Sequence, residues 1–324
     1  MLAHLGTRTL TGVVVVVGVV TLTFLLVRLA PGDPVERLLG PTATAAQLAA
    51  QRRAFGLDRP VAAQYAMWLG RFARGDWGRS IATGRPVRAL LGDAVPATLA
   101  LVGTSLVLSY LLGLVVGAWQ SRAGPRVDAT LSMITVTLFA LPGFWLGLML
   151  VMAFTYWAHW FPAFGAAGLD ADGLTGWSRL ADRLRHFALP LTTLTLIGVG
   201  GAARYVRGAM RDVLGQPFVR TAEAKGLSPF HVTRRHVARN ALIPVVTMLG
   251  LSLPALFSGA VFVEAVFGWP GVGRRLVEAV QARDYPVVVA ATAVTAVLVV
   301  AGNLLTDLGV AWIDPRIRRG KGAA

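Results

Sequence analysis

The sequence predicts an all-α integral membrane protein with six transmembrane helices, and three observations carry that reading. Only 15% of the 324 residues are charged and 55% are hydrophobic, with a mean hydropathy of +0.62. Charged residues make up about a quarter of an ordinary soluble domain. Six stretches (10–27, 94–121, 129–158, 187–203, 240–263 and 285–306) carry no charge. Each is about 17 to 30 residues long, and roughly 20 suffice to cross a ~30 Å hydrocarbon core at 1.5 Å per residue. Runs such as VVVVVGVV and AATAVTAVLVVAG do not alternate, as the ~10-residue strands of a membrane barrel would.

The first span is expected to be a retained helix. Its apolar run exceeds the roughly 7 to 15 residues of a signal-peptide core, and RLAPGDP after it offers no A-x-A cleavage site. Pro31, Gly32 and Pro34 end it. A polar segment follows and reads as two short amphipathic helices, broken at Gly56 and Pro60 and again at Gly75. It is too small for a catalytic domain and is expected to cap the outer face.

Span three contains Pro142 and Gly143, where a proline kink is expected, facing the bundle centre or serving packing alone. The loop from His159 to His186 carries Asp170, Asp172 and Asp182 but lacks the further ligands and the closing glutamate of an EF-hand. After span five, the run from Gly268 to Gly273 forces a sharp turn, and LVEAVQA reads as a short helix along the outer surface.

The charge pattern sets the expected orientation. With the N-terminus inside, the inner segments hold fifteen basic residues and the short outer loops six, so both termini are expected in the cytoplasm. A net charge of +15 distributed in this way reads as topology and lipid contact and not as nucleic-acid binding. The chain has no cysteine, and the five histidines fall on different sides of the membrane, so no metal site is expected. Its only lysines, Lys225 and Lys321, are each followed by glycine. Neither can serve a Gly-Lys-Ser/Thr phosphate loop.

One basic, polar island, TAEAKGLSPFHVTRRHVARNALIP (221–244), interrupts the apolar chain. Helical periodicity continues out of span four to Gly215, with Pro217 just beyond. FVRTAEAK reads as a short helix closed by Gly226, and Ser228 caps another with Pro229 at its first position. Four readings fit a helix, a turn and a helix on membrane stalks: a DNA-binding motif, a solvated loop, a lipid-binding patch or a docking element. The small residues Ala222, Ala224 and Gly226 beside a tight turn favour docking in the groove of another protein.

TAEAKGLS together with RHVARNALIPVVT resembles the cytoplasmic loop of inner-membrane permeases of ABC importers, in the dipeptide and oligopeptide branch. The resemblance spans nearly the whole chain in order: LAPGDPV, FGLDRPVAAQY, GDWGRS, VPATLAL, EAVFGWPGVGR, RDYPVV and DPRIRRG. It implies a type I ABC importer permease fold, with residues 1–93 as an N-terminal helix plus extracytoplasmic segment and 94–312 as the permease core. Within that core, 207–240 would form the coupling loop, and 313–324 a cytoplasmic tail.

The resemblance further implies that Thr221, Ala222, Glu223, Ala224, Lys225, Gly226, Leu227, Ser228 and Pro229 dock an ATPase. Pro142, Gly143, Trp269, Pro270 and Gly271 would then belong to the pathway or its gate. Arg220 stands where the broader importer pattern has an acidic residue, and Arg239 where it has a proline, so the role of that acidic residue is not assigned to Glu223.

The implied assembly is a bacterial inner-membrane complex with a second homologous permease, two ATPase subunits and an extracytoplasmic binding protein. ATP and Mg would sit on the ATPases, and this chain would hold no cofactor. The implied cargo is di- or oligopeptides, with nickel chelates or oligosaccharides as alternatives. An ion-coupled transporter is the rival reading, but Arg28, Arg204, Glu264 and Asp307 all fall near span ends and not at the midplane. An intramembrane enzyme lacks paired carboxylates or a nucleophile set within the spans.

Overall fold

The computed structural model describes residues 2–29, 32 and 34–313. Within them the regular structure is helical, apart from one isolated bridge between Arg79 and Pro86. The chain runs through α1 (Leu2–Leu29), α2 (Pro34–Leu39), α3 (Ala45–Ala54), α4 (Val61–Ala73) and α5 (Val87–Arg122). Next come α6 (Pro125–Ala140), α7 (Gly143–Leu150) with a π-helical extension over Val151–Trp157, and α8 (Gly176–Leu214). The remainder is α9 (Pro217–Ala224), α10 (Pro229–Val232), α11 (Ala238–Val266), α12 (Val272–Ala282) and α13 (Tyr285–Ile313).

Five of these helices are long and apolar enough to cross a membrane, and α6 with α7 makes a sixth when the bent pair is counted as one broken span. At 1.5 Å per residue the 39 residues of α8 extend about 58 Å, well beyond a ~30 Å hydrocarbon core. The helix therefore projects into water.

Span three departs from the expected kink. Its two halves are bent by 104°, far more than one missing backbone bond produces. Leu141 is extended at φ −68° and ψ 134°, and Pro142 at φ −61° and ψ 130°. The ring of Pro142 disfavours helical backbone at Leu141, so α6 stops there and α7 restarts with Pro142 as its N-cap.

The chain forms two compact units. In the unit of residues 2–98 and 270–300, Phe24 of α1 packs against Tyr65 and Trp68 of α4. An aromatic ladder continues from Trp68 through Phe72 to Trp77. Thr44 caps α3 through a reciprocal pair of bonds with Gln47. Asp284, buried just before α13, accepts hydrogen bonds from Ser80 Oγ, the Ile81 N–H at 3.0 Å and the Ala82 N–H at 3.2 Å. Thr98 Oγ1 accepts from the Val272 N–H at 2.8 Å and fixes the start of α12 to α5.

In the unit of residues 99–269 and 301 onward, α8 is the central element and packs on α6 and α11. Close approach requires glycine at two places. A Cβ on Gly117 of α5 would lie 2.6 Å from the Ala203 carbonyl oxygen, and one on Gly200 of α8 would lie 2.6 Å from the Thr135 oxygen and 2.8 Å from the Phe139 nitrogen. The run Gly113-Leu-Val-Val-Gly117 thus forms a small-xxx-small seam against α8.

Candidate functional site

Residues 215–232 fold as a hairpin on the ends of α8 and α11, with the caps that the sequence suggests. Leu214 ends α8, and Pro217 opens α9 at its first position. The Leu227 N–H reaches the Ala222 oxygen at 3.4 Å and the Gly226 N–H reaches the Glu223 oxygen at 2.9 Å, a Schellman closure of α9. Gly226 stands at φ +78°, a conformation that glycine adopts without steric cost. Ser228 Oγ then accepts from the His231 N–H at 3.4 Å, and α10 begins with Pro229 at its first position.

The hairpin is amphipathic in cross-section. Val219 and Ala222 are buried in one cluster with Val206 and Met210 of α8, Val232 of α10, and Val237, Ala241 and Val245. That packing holds α9 against its stalks. Thr221, Glu223, Ala224, Lys225, Gly226, Leu227 and Ser228 are exposed. Phe218, Leu227 and Phe230 are exposed too, the last to 73%. These three apolar side chains stand in the open outside the candidate membrane spans; Leu227 belongs to the docking set expected from the sequence, whereas Phe218 and Phe230 do not. In the sequence alone both phenylalanines resemble core residues of their short helices.

Two ion-pair groups join this end of the chain to its neighbours. Arg122, the last residue of α5, lies 3.2 Å from Glu223. Asp128, in the first turn of α6, takes Arg207 through Nε and Nη2 at 2.6 Å each and Arg211 at 2.9 Å. Glu223 thus already has a cationic partner within the chain, which the sequence did not reveal across 101 residues.

The remaining predicted site residues form separate features. Pro142 and Gly143 make the break in span three, with Ile197 of α8 3.2 Å from where a Gly143 Cβ would stand. Trp269 is buried, and its ring lies 5.2 Å from Phe187. Its N–H bonds the Glu264 oxygen at 2.9 Å and closes α11. Pro270 is half-buried, and Gly271 is the N-cap of α12.

Comparison with known proteins gives the family and the fold. The family described as "Binding-protein-dependent transport system inner membrane component" matches residues 109–319, and the N-terminal family of the same systems matches residues 1–102. The chain is 37% identical to the oligopeptide transport system permease protein AppB of Bacillus subtilis, over 98% of this chain and 99% of that protein. It is 37% identical to the di/tripeptide transport system permease protein DppB of Pseudomonas aeruginosa, over 93% and 94%. The oligopeptide transport system permease protein OppB of Mycobacterium tuberculosis is 38% identical, over 98% and 99%. Among solved structures, the inward-facing MetNI methionine ABC transporter is similar with a TM-score of 0.55 at 19% identity, covering 71% of this chain and 99% of that one. An amino acid ABC transporter crystallised with histidines gives 0.53 at 15% identity, covering 69% and 94%. At these identities the structures speak for the fold alone.

Proposed function

Since the chain belongs to the family of binding-protein-dependent transport system inner membrane components, we propose that it forms half of the translocation pathway of an ATP-driven peptide importer and is driven through residues 221–229. It has the type I ABC importer permease fold and is a multi-pass permease of the inner membrane. Its function is that of a permease subunit for di- or oligopeptides, as in the relatives named for that transport.

The observation that carries the coupling role is the hairpin of residues 215–232. It is capped at both turns, fixed from beneath by Val219 and Ala222, and presents Phe218, Leu227 and Phe230 outward. Two ATPase subunits, which bind the ATP and Mg, would close around such a hairpin on this chain and on a second, homologous permease. Inverting a two-state equilibrium from 1:99 to 99:1 takes about 5.5 kcal/mol. A packed and capped helix transmits a displacement of that energy, whereas a floppy loop would absorb it. The excess of basic residues on the hairpin side supports cytoplasmic termini, with the segment after α1 facing an extracytoplasmic binding protein.

The test is reconstitution of the chain with a second permease, the ATPases and the binding protein in vesicles. Peptide uptake should require ATP and persist when ion gradients are collapsed. The purified chain alone should not hydrolyse ATP. Uptake that follows an ion gradient without ATP would overturn the importer reading, and nickel chelates or oligosaccharides taken up without competition from peptides would overturn the cargo.

A further inference from the structure

The unit of residues 2–98 and 270–300 contains a cavity of about 720 Å³, between the last turn of α1, the 53–59 turn, α4, the 76–81 loop and the start of α13. Five arginines line it (Arg28, Arg53, Arg59, Arg71 and Arg79) against a single carboxylate, Asp76. Asp76 is engaged by the Gly78 N–H at 3.0 Å. Among the described residues, none of the five arginines is paired with a carboxylate. Arg28 instead lies over the rings of Phe24 and Tyr285, at 5.3 and 5.2 Å. Five like charges around one hollow repel each other, and an anion in the hollow relieves that repulsion.

A further observation narrows the ligand. Arg28 lies in the last turn of the apolar span Gly6–Leu29, and Phe24, Val27 and Val289 give the cavity an apolar wall beside it. The site therefore offers cations for an anionic group and an apolar wall for a chain.

We propose that this cavity binds the phosphate ester headgroup of an anionic membrane lipid. The phosphodiester lies among Arg28, Arg59 and Arg71, and acyl chain runs along Phe24, Val27 and Val289. Basic pockets beside membrane helices take such headgroups by the same chemistry. Inorganic phosphate shares the anionic contacts but makes no use of the apolar wall. The inference does not depend on the cargo. Only the leaflet, outer in the proposed orientation, rests on the functional reading.

The test is native mass spectrometry of the purified full chain in neutral detergent, titrated separately with phosphatidylglycerol, phosphatidylcholine and inorganic phosphate. Phosphatidylglycerol should bind in preference to phosphatidylcholine, and Arg59→Gln and Arg71→Gln should each weaken it about fivefold, the worth of one arginine at an anionic headgroup. Arg85→Gln, whose side chain pairs with Asp93 outside the cavity, should change nothing. An unaltered unfolding midpoint shows that the variants fold, and the wild-type preference stands as a test even if they do not. Equal binding of the two lipids, or a preference unaffected in the variants, overturns the proposal. Phosphate binding as tightly as the lipid marks a free-anion site and overturns the lipid source. Arginine variants that keep the lipid but lose affinity for the binding protein in the assembled importer mark a protein-docking surface, and overturn it as well.

Discussion

Glu223 and Arg122 provide a direct test of how the hairpin is held. The two side chains lie 3.2 Å apart and are 44% and 28% exposed. Opposite charges at about 4 Å attract by about 1 kcal/mol in water, and exposed pairs of this kind yield roughly 0.2–1 kcal/mol net once side-chain ordering and screening are included. Glu223→Arg replaces that attraction with a repulsion of similar size, a swing of roughly 0.4–2 kcal/mol, or about a 2- to 30-fold change in any equilibrium the contact biases. Restoring the pair in reverse, with Arg122→Glu in the same chain, should recover most of the loss. The assay is ATPase stimulation by loaded binding protein, and peptide uptake, in the reconstituted complex for both single variants and the double variant. The effect should shrink as salt is raised through the range where the Debye length falls below about 8 Å. If the double variant is as impaired as the worse single variant, the pair does not hold the hairpin, and Glu223 acts through the partner protein instead.

Four other outcomes are expected. Asp284→Ala leaves the buried Ile81 N–H and its neighbours without an acceptor, and should cost about 2–5 kcal/mol, read as a lower unfolding midpoint and faster proteolysis of the 80–86 loop; Asp284→Asn should fall between. Gly226→Val forces a β-branched residue to φ +78° with no atom within 4 Å of its Cβ; the cost of about 1–3 kcal/mol is therefore pure backbone strain, and it should lower ATPase docking without unfolding the spans. Gly117→Ala, with its Cβ 2.6 Å from the Ala203 oxygen, should destabilise the purified chain by about 1–3 kcal/mol, while Gly103→Ala, in open space on the same helix, should stabilise it by up to about 1 kcal/mol. Cysteines at the exposed positions Thr83 and Asp172 should react with an impermeant thiol reagent from outside, and one at Ser228 should not; the opposite pattern would reverse the orientation.

What the sequence could and could not disclose follows from the range of the interactions. The hairpin was legible residue by residue because Gly215, Pro217, Gly226, Ser228 and Pro229 each act on their own backbone within four positions. The spans were legible because a bilayer selects on length and composition alone. Span three was legible only in part. Leu-Pro occurs at 141–142, 189–190 and 253–254, yet α8 runs unbroken through Pro190 and α11 through Pro254 while the chain turns by 104° at Pro142. Of the three prolines only Pro142 is followed by glycine, a residue of poor helix propensity, and the restart packs against Ile197. Tertiary contacts decide between a kink and a break, and a single sequence does not contain them. The glycine pair of GLVVG was present as a signal and indicates close helix packing, but its partner on α8 became identifiable only in the structure.

The pairings the sequence could not show are those that bear on force transmission. If an ATPase displaces α9, the displacement enters the membrane directly along α8 and α11, to which α9 is bound through Val206, Met210, Ala241 and Val245. The Glu223–Arg122 contact adds α5, and the Asp128 fork binds the start of α6 to Arg207 and Arg211 of α8. Four spans therefore share one anchored end, and α6 is further locked along its length by the approach of Gly200 to the Thr135 and Phe139 backbone. The first half of span three must then move with α8. Its second half, beyond the break at Leu141, packs on α8 and α11 as well, so both pieces of the span are coupled to the elements that an ATPase would displace.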